Sequence, residues 1–168
     1  TVKIVQSYSD KRLHEVRIAP IEPGWSINAW AADQLLKKAT GDYAVLVSAD
    51  TVLHPNALAQ IASLMEEKKT HFLSLLPSDQ DKSLAQKTIL SHNQYLLLAA
   101  YPAAYLQTHA PERSSAHGGI TAFAVGPIRD IGGFASVKAS PLEDQELFHQ
   151  ARRLGLRSQL YRASDLAT

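Results

Sequence analysis

The sequence predicts an α/β fold, with a mixed, mostly parallel sheet flanked by helices. Three observations predict it. Apolar runs of strand length recur along the chain at Tyr43–Val47, His71–Leu76 and Ile120–Val125. Segments with apolar residues at helical spacing stand among them, notably Asn56–Lys68 and Leu142–Leu154. Glycine and proline punctuate the junctions. Alternating strands and helices are the pattern of a sheet with parallel character.

Composition bounds the rest. A length of 168 residues is expected to form one domain, 1–168, with a real core. Hydrophobic content of 45% with 20% charged residues excludes wholesale disorder. Seventeen basic against sixteen acidic residues leave a charge of +1, which argues against a nucleic-acid partner. With no cysteine, disulfides, zinc–thiolate sites and thiol nucleophiles are excluded. No stretch reads as a signal peptide, and none reaches the roughly 18 apolar residues of a spanning helix. Any membrane contact is expected at the surface or through segments outside this sequence.

In chain order, Val2–Val5 is a short apolar run ending in the polar turn Gln6–Asp10. Val16 and Ile18 alternate with charge and suggest a half-exposed strand. Pro20 and Pro23-Gly24 break the chain before Trp25. Ser26 or Asn28 can cap a helix from Ala29 to Ala39, with Ala31, Leu35 and Ala39 on one stripe and Gly41 ending it. Tyr43–Val47 reads as a buried strand that runs into Ser48-Ala49-Asp50-Thr51, before a helix that Pro55 can open. On that helix, Leu58, Ile61, Ala62 and Met65 share a face.

His71–Leu76 is a further strand, stopped by Pro77. Leu84–Leu106 is helix-like and unusually apolar, and Pro102 should break or kink it. It reads as a core helix or as a surface for lipid, where tyrosines favour the interface. Ile120–Val125 is a strand, Pro127–Ile131 a short helical turn and Gly132-Gly133 a sharp bend. Helix Leu142–Leu154 closes at Gly155, and Leu156–Tyr161 is the last strand.

The usual chemical motifs are missing. No glycine-rich dinucleotide or phosphate loop joins a strand to a helix, and no glycine-flanked nucleophile turn occurs. No histidine pair stands at i, i+4 on a convincing helix face. What remains is acidic: Asp50 after a strand, and Glu143-Asp144 at a helix start. Ligands gather at the carboxyl ends of strands in open α/β sheets, which makes Asp50 a candidate. On spacing alone it reads first as a turn residue or helix cap. Glu143 and Asp144 suit the positive end of a helix whether or not they act on a substrate. Trp25 reads as well as a core plug.

The order of the segments adds a resemblance. Pro23-Gly24-Trp25-Ser26 with Trp30-Ala31 comes first, then Gly41-Asp42-Tyr43 and the run Val45–Leu58. Tyr101–Gly119, Ile131-Gly132-Gly133-Phe134 and Leu142-Glu143-Asp144 with Leu147 follow. In that order they resemble family-2 glycosyltransferases of the GT-A fold, in particular the lipid-directed branch of hopene-associated and carotenoid glycosyltransferases. The resemblance runs from Pro23 to about Tyr161. It implies a GT-A-like domain that moves a sugar, with inversion, from a nucleotide-diphosphate donor to a lipid or polyisoprenoid-type acceptor. It implies Asp144 as general base with Glu143 supporting it. It also implies a divalent cation (Mn or Mg) on Asp50, and a nucleotide-sugar site at Asp10, Trp25, Asn28, Ser48 and Asp50. The apolar segment 84–108 would meet the membrane surface, on the cytoplasmic side.

The sequence departs from the family pattern at three donor-side positions. Ser48 stands where the Asp-x-Asp motif has its first carboxylate, Ile27-Asn28 replaces Gly-Lys, and the turn Gln6–Asp10 lacks its first acid. The family's first strand has no counterpart before Thr1. The chain is therefore expected to be either part of a longer enzyme or a divergent domain. A non-catalytic glycosyltransferase-like binding domain with an eroded donor site is the alternative function, and an unrelated α/β nucleotide-binding or hydrolytic enzyme is a third.

Overall fold

The computed structural model describes residues 10, 12–77 and 119–163. The expectations placed on Val2–Val5, on Leu84–Leu106 and on the connection 101–118 lie outside them.

The segment around Val16 and Ile18 forms no strand. Ile18 and Ile21 are 48% and 47% exposed, and no ladder pairs with them. Alternation predicts a strand only where a partner is available.

Helix α1 (Ile27–Lys38) starts at Ser26, whose extended backbone and Oγ, accepting from Ala29 N at 3.2 Å, make it the cap. Asn28 is exposed inside the first turn and caps nothing. The buried face is Ala29, Trp30, Ala32, Asp33 and Leu36, not the expected stripe of Ala31, Leu35 and Ala39. Trp30 sets this rotation by burying its ring and donating from Nε1 to Ala19 O at 2.8 Å. Asp33 turns inward with it and pairs with Lys37 at 2.7 Å. Gly41 does not end the helix. Arg129 Nη2 takes the carbonyls of Leu36 and Ala39 at 2.6 and 2.7 Å, satisfying the terminal acceptors that a glycine cap would otherwise serve.

Strand β1 (Tyr43–Val47) leads to helix α2 (Ala57–Lys68) and strand β2 (Phe72–Pro77). Strand β3 (Ile120–Ala124) runs into the short helix α3 (Val125–Asp130) and a 3₁₀ turn, Gly133–Val137. Helix α4 (Glu143–Arg153) and strand β4 (Ser158–Ala163) complete the described fold. The strand order is β1-β3-β2-β4. β1, β2 and β4 run one way and β3 runs against its neighbours β1 and β2. The sheet is thus mixed with most strands co-directional, as a GT-A-like α/β domain requires. β3 is buried along its whole length, whereas β1 is only half buried, with Tyr43 and Val47 exposed. The expectation of a buried opening strand fails because β1 lies at one edge of the described sheet.

Period-two alternation feeds two cores. Phe72 and Phe123 face α1, α3 and α4, packing with Leu36, Ile128, Phe134, Leu147 and Phe148. Leu73, Leu75, Ile120 and Ala122 face α2 and meet Ile61 and Met65. Leu58, expected on that apolar face, is 55% exposed. Aromatic edges knit the first core: Phe148 against Phe72 at 5.3 Å and Phe134 against Phe123 at 5.9 Å. Burying each such ring contributes about 1.5–3 kcal/mol.

Two glycines are needed at the bend. Gly132 and Gly133 have φ of 94° and 54°, and a Cβ on Gly133 would stand 2.9 Å from Leu36 Cδ2. That close approach seats the 3₁₀ turn directly on α1.

Candidate functional site

Asp50 lies just past the carboxyl end of β1. Thr51 N bonds Ser48 O at 3.1 Å, closing a tight turn, and Ser48 N donates to Gly119 O at 3.1 Å, fastening the turn to the start of β3. The Asp50 side chain is exposed. It does not cap α2, because Asn56 holds the cap position of that helix, six residues further on. Its spatial setting is a strand end, where α/β sheets present ligand groups.

Glu143 and Asp144 occupy the first turn of α4, with Glu146 beside them. Asp144 Oδ1 accepts from Gln145 N at 2.8 Å. Its Oδ2 is buried and has no hydrogen-bond partner among the described residues. A buried carboxylate oxygen without a donor is costly, and such groups concentrate where a ligand or proton is to be received. Burial raises the Glu143 carboxyl above its ordinary range; a backbone hydrogen bond partly opposes this, and the Asp144 charge adds to it.

The topology orients this helix. After Arg153 the chain turns at once into β4, and Arg157 O accepts from His71 N and Phe72 N at 2.8 and 3.2 Å, at the amino end of β2. The carboxyl end of α4 therefore sits at the amino ends of β2 and β4. Its acidic first turn points away from there, toward the end of the sheet that carries Asp50.

The other candidate residues are dispersed. Trp25 is half buried and packs edge-on against Trp30 at 5.0 Å, so the better core plug is Trp30. Ser26 N donates to Lys138 O at 2.6 Å, joining the Trp25 turn to the approach of α4. Asp10 is exposed and closed off by Arg12, whose Nη2 and Nε reach its two oxygens at 2.7 and 3.0 Å. That contact holds the Asp10 carboxyl below its ordinary range. Among the described residues no hydrogen bond or ion pair joins Asp50 to Asp10, Trp25, Glu143 or Asp144.

Two features escape a sequence reading. Ser74 and Thr121 are directly paired across β2 and β3, and both are buried. By alternation they share the α4 face with Phe72 and Phe123, one pleat nearer the carboxyl end of β2. The available signal was a lone polar residue inside each of two apolar strands. The other feature is Gln150, whose Nε2 donates to Ile131 O at 3.0 Å and whose Oε1 meets Ser136 Oγ at 2.9 Å.

Among the described residues no three His, Cys, Asp or Glu side chains gather around a possible metal position. Asp50 offers one exposed carboxylate. That donor set fits a hard cation shared with a ligand's phosphates, the usual arrangement for Mg²⁺, and not a cage made of protein alone. No helix among the described residues is long and apolar enough to cross a membrane.

No curated protein matches the chain. Among solved structures, a mycobacterial protein known from a crystal structure is similar at 19% identity and a TM-score of 0.48, over 87% of this chain and 44% of that one. This chain therefore spans less than half the length of that protein. The family model described as glycosyl transferase family 2 matches residues 1–129, from the start of the chain through β3 and most of α3. The match takes in Trp25 and Asp50 and stops before the Gly132-Gly133 bend and the acidic pair on α4. With most of the chain covered, the protein belongs to glycosyl transferase family 2, whose members transfer a sugar from a nucleotide-sugar donor to an acceptor.

Proposed function

We propose that this chain transfers a sugar from a nucleotide-diphosphate donor to a lipid or polyisoprenoid-type acceptor, with inversion at the anomeric carbon. The observation that carries the catalytic assignment is the buried, unpartnered Oδ2 of Asp144 in the first turn of α4. As general base, Asp144 takes the proton of the acceptor hydroxyl while that oxygen attacks the anomeric carbon. The bond to the diphosphate breaks on the opposite face, and the diphosphate leaves with the electron pair. Glu143, the neighbouring carboxyl in the same helical turn, supports Asp144 in this proposal; burial, and to a lesser extent the Asp144 charge, raise its affinity for a proton. Asp50 would hold a divalent cation, Mn or Mg, together with the donor diphosphate; such an ion neutralises the charge of a leaving group. Trp25, Asn28, Ser48 and Asp10 complete the donor side in this proposal. The apolar composition of 84–108 supports a lipid-type acceptor met at the membrane surface; the cytoplasmic side is part of the proposal.

One observation favours a second reading, a glycosyltransferase-like domain that binds without catalysing. The donor side has lost charge, with Ser48 at a motif carboxylate position and Asp10 engaged by Arg12. Titrating uridine and guanosine diphosphates with manganese, followed through Trp25 and Trp30 fluorescence, separates the two when coupled to a transfer assay on polyprenyl acceptors. Saturable binding with transfer supports the enzyme. Saturable binding without transfer supports the binding domain. No binding by folded protein overturns the enzyme, and is the outcome expected of a domain whose donor site is eroded.

A further inference from the structure

A cleft lies at the end of the sheet away from Asp50. It has a volume of about 960 Å³ and is lined by Lys68, Lys69, Arg152 and Arg157, with Glu67 the one acid among the described residues of its wall. The remaining wall is the bend at Gly155 and the strand Ser158–Tyr161. The bland account is that these cations serve the carboxyl ends of α2 and α4, which both finish here. Two of them do serve local partners. Arg157 Nη1 donates to Lys68 O at 2.7 Å, and Lys68 Nζ pairs with Glu67 at 2.7 Å.

The other two do not. Arg152 sits over the Phe148 ring at 5.8 Å, which fixes its guanidinium, yet its Nη1 is buried without a hydrogen-bond partner among the described residues. Lys69 follows α2 in the left-handed region, at φ 49°, and has no ion pair among the described residues. Against four cations stand Glu67 and two helix ends of about half a negative charge each. Among the described residues, the cleft keeps a net positive charge after the helices are satisfied. Gln159 adds an oriented donor. Its Oε1 accepts from Thr70 Oγ1 at 2.9 Å and from Tyr161 OH at 3.2 Å, which leaves its Nε2 hydrogens for another acceptor.

We propose that this cleft between α2, the end of α4 and β4 is a binding site for a phosphate-class anion, held by Lys69, Arg152 and Gln159. It lies at the amino ends of β2 and β4, away from Asp50, and does not depend on the transferase assignment. The phosphate is carried either by a soluble molecule or by a lipid headgroup.

The test uses the whole chain with EDTA and no donor, so that loss of transferase activity has no bearing on it. Inorganic pyrophosphate is titrated at constant ionic strength, reading backbone amide shifts by NMR. Saturable shifts at Lys69, Gly155 and Arg157–Gln159 are expected, weakened about tenfold by Lys69→Gln and by Arg152→Gln. The two variants are tested separately because Arg152→Gln also removes the contact with Phe148, whereas Lys69→Gln is at the surface. Vesicles of phosphatidylglycerol in phosphatidylcholine form the second arm. Sedimentation with these vesicles, reduced in both variants, supports a headgroup source; pyrophosphate shifts without sedimentation support a soluble one. Absence of both signals, or signals unchanged in both variants, overturns the proposal.

Discussion

Ser136 Oγ lies 2.9 Å from Gln150 Oε1, across the gap between the 3₁₀ turn and α4. The same amide donates to Ile131 O, so one side chain locks the Gly132-Gly133 bend to the helix that bears Glu143 and Asp144. Gln150→Ala is expected to cost about 1–2 kcal/mol. Urea unfolding should show a lower midpoint with an unchanged slope.

Asp144→Asn separates catalysis from stability. Removing a general base should lower kcat by about 10²–10⁴-fold. The same change touches a buried Oδ2 that has no donor among the described residues, so no hydrogen bond of that atom is lost and the Tm should hold. Transfer assays and calorimetry on one preparation read both. A fully active Asp144→Asn enzyme would refute the assigned base.

Glu143 gives a pH signature. Its carboxyl is raised in the folded protein, so folding favours the protonated form. Its contribution to stability is present below the ordinary carboxylate pKa and is lost as pH rises through the raised folded value. Tm measured across that interval should fall with pH more steeply in the wild type than in Glu143→Gln. Equal slopes would show that Glu143 is not the source.

At the bend, Gly133→Ala would place a Cβ against Leu36 while forcing alanine to a positive φ. A loss of about 2–4 kcal/mol is expected. Gly155→Ala has the same backbone problem at φ 83° with open space around it, and should lose only about 1–2 kcal/mol. Chemical denaturation of the pair isolates the contribution of the Leu36 contact.

Asp50→Asn tests the donor side. Affinity for a nucleoside diphosphate should drop about tenfold with manganese present and stay unchanged in EDTA. Equal affinities in both conditions would remove Asp50 from the metal proposal.

Much of the fold was legible because burial enforces periodicity. β1 was read to the residue, and α2 and α4 to within a residue at either end, since Ile61 and Met65 or Leu147, Phe148 and Ala151 mark buried faces. The failures arose where a distant group decided the outcome. Arg129 ends α1 from some ninety residues away, and Trp30 rotates its buried face by a bond to Ala19. No local pattern encodes either. The opposed direction of β3 was equally invisible, because a strand buried on both faces looks the same in either orientation. For the site, the acidic residues stood out in the sequence, whereas the orphaned state of Asp144 Oδ2 depends on packing, which spacing does not reveal.

The central place of β3 also governs the order in which the molecule can assemble. β1 and β2 precede β3 in the chain, and among the described strands neither pairs with the other; both pair with residues 120–124, and β2 also with the later β4. Until β3 leaves the ribosome, the ladders that join β1 and β2 to β3 cannot form, and these contacts span long stretches of sequence. Such topologies fold slowly and expose sticky intermediates. Yield in the cell should therefore respond to chaperone capacity and to translation rate upstream of Ile120, more than to equilibrium stability.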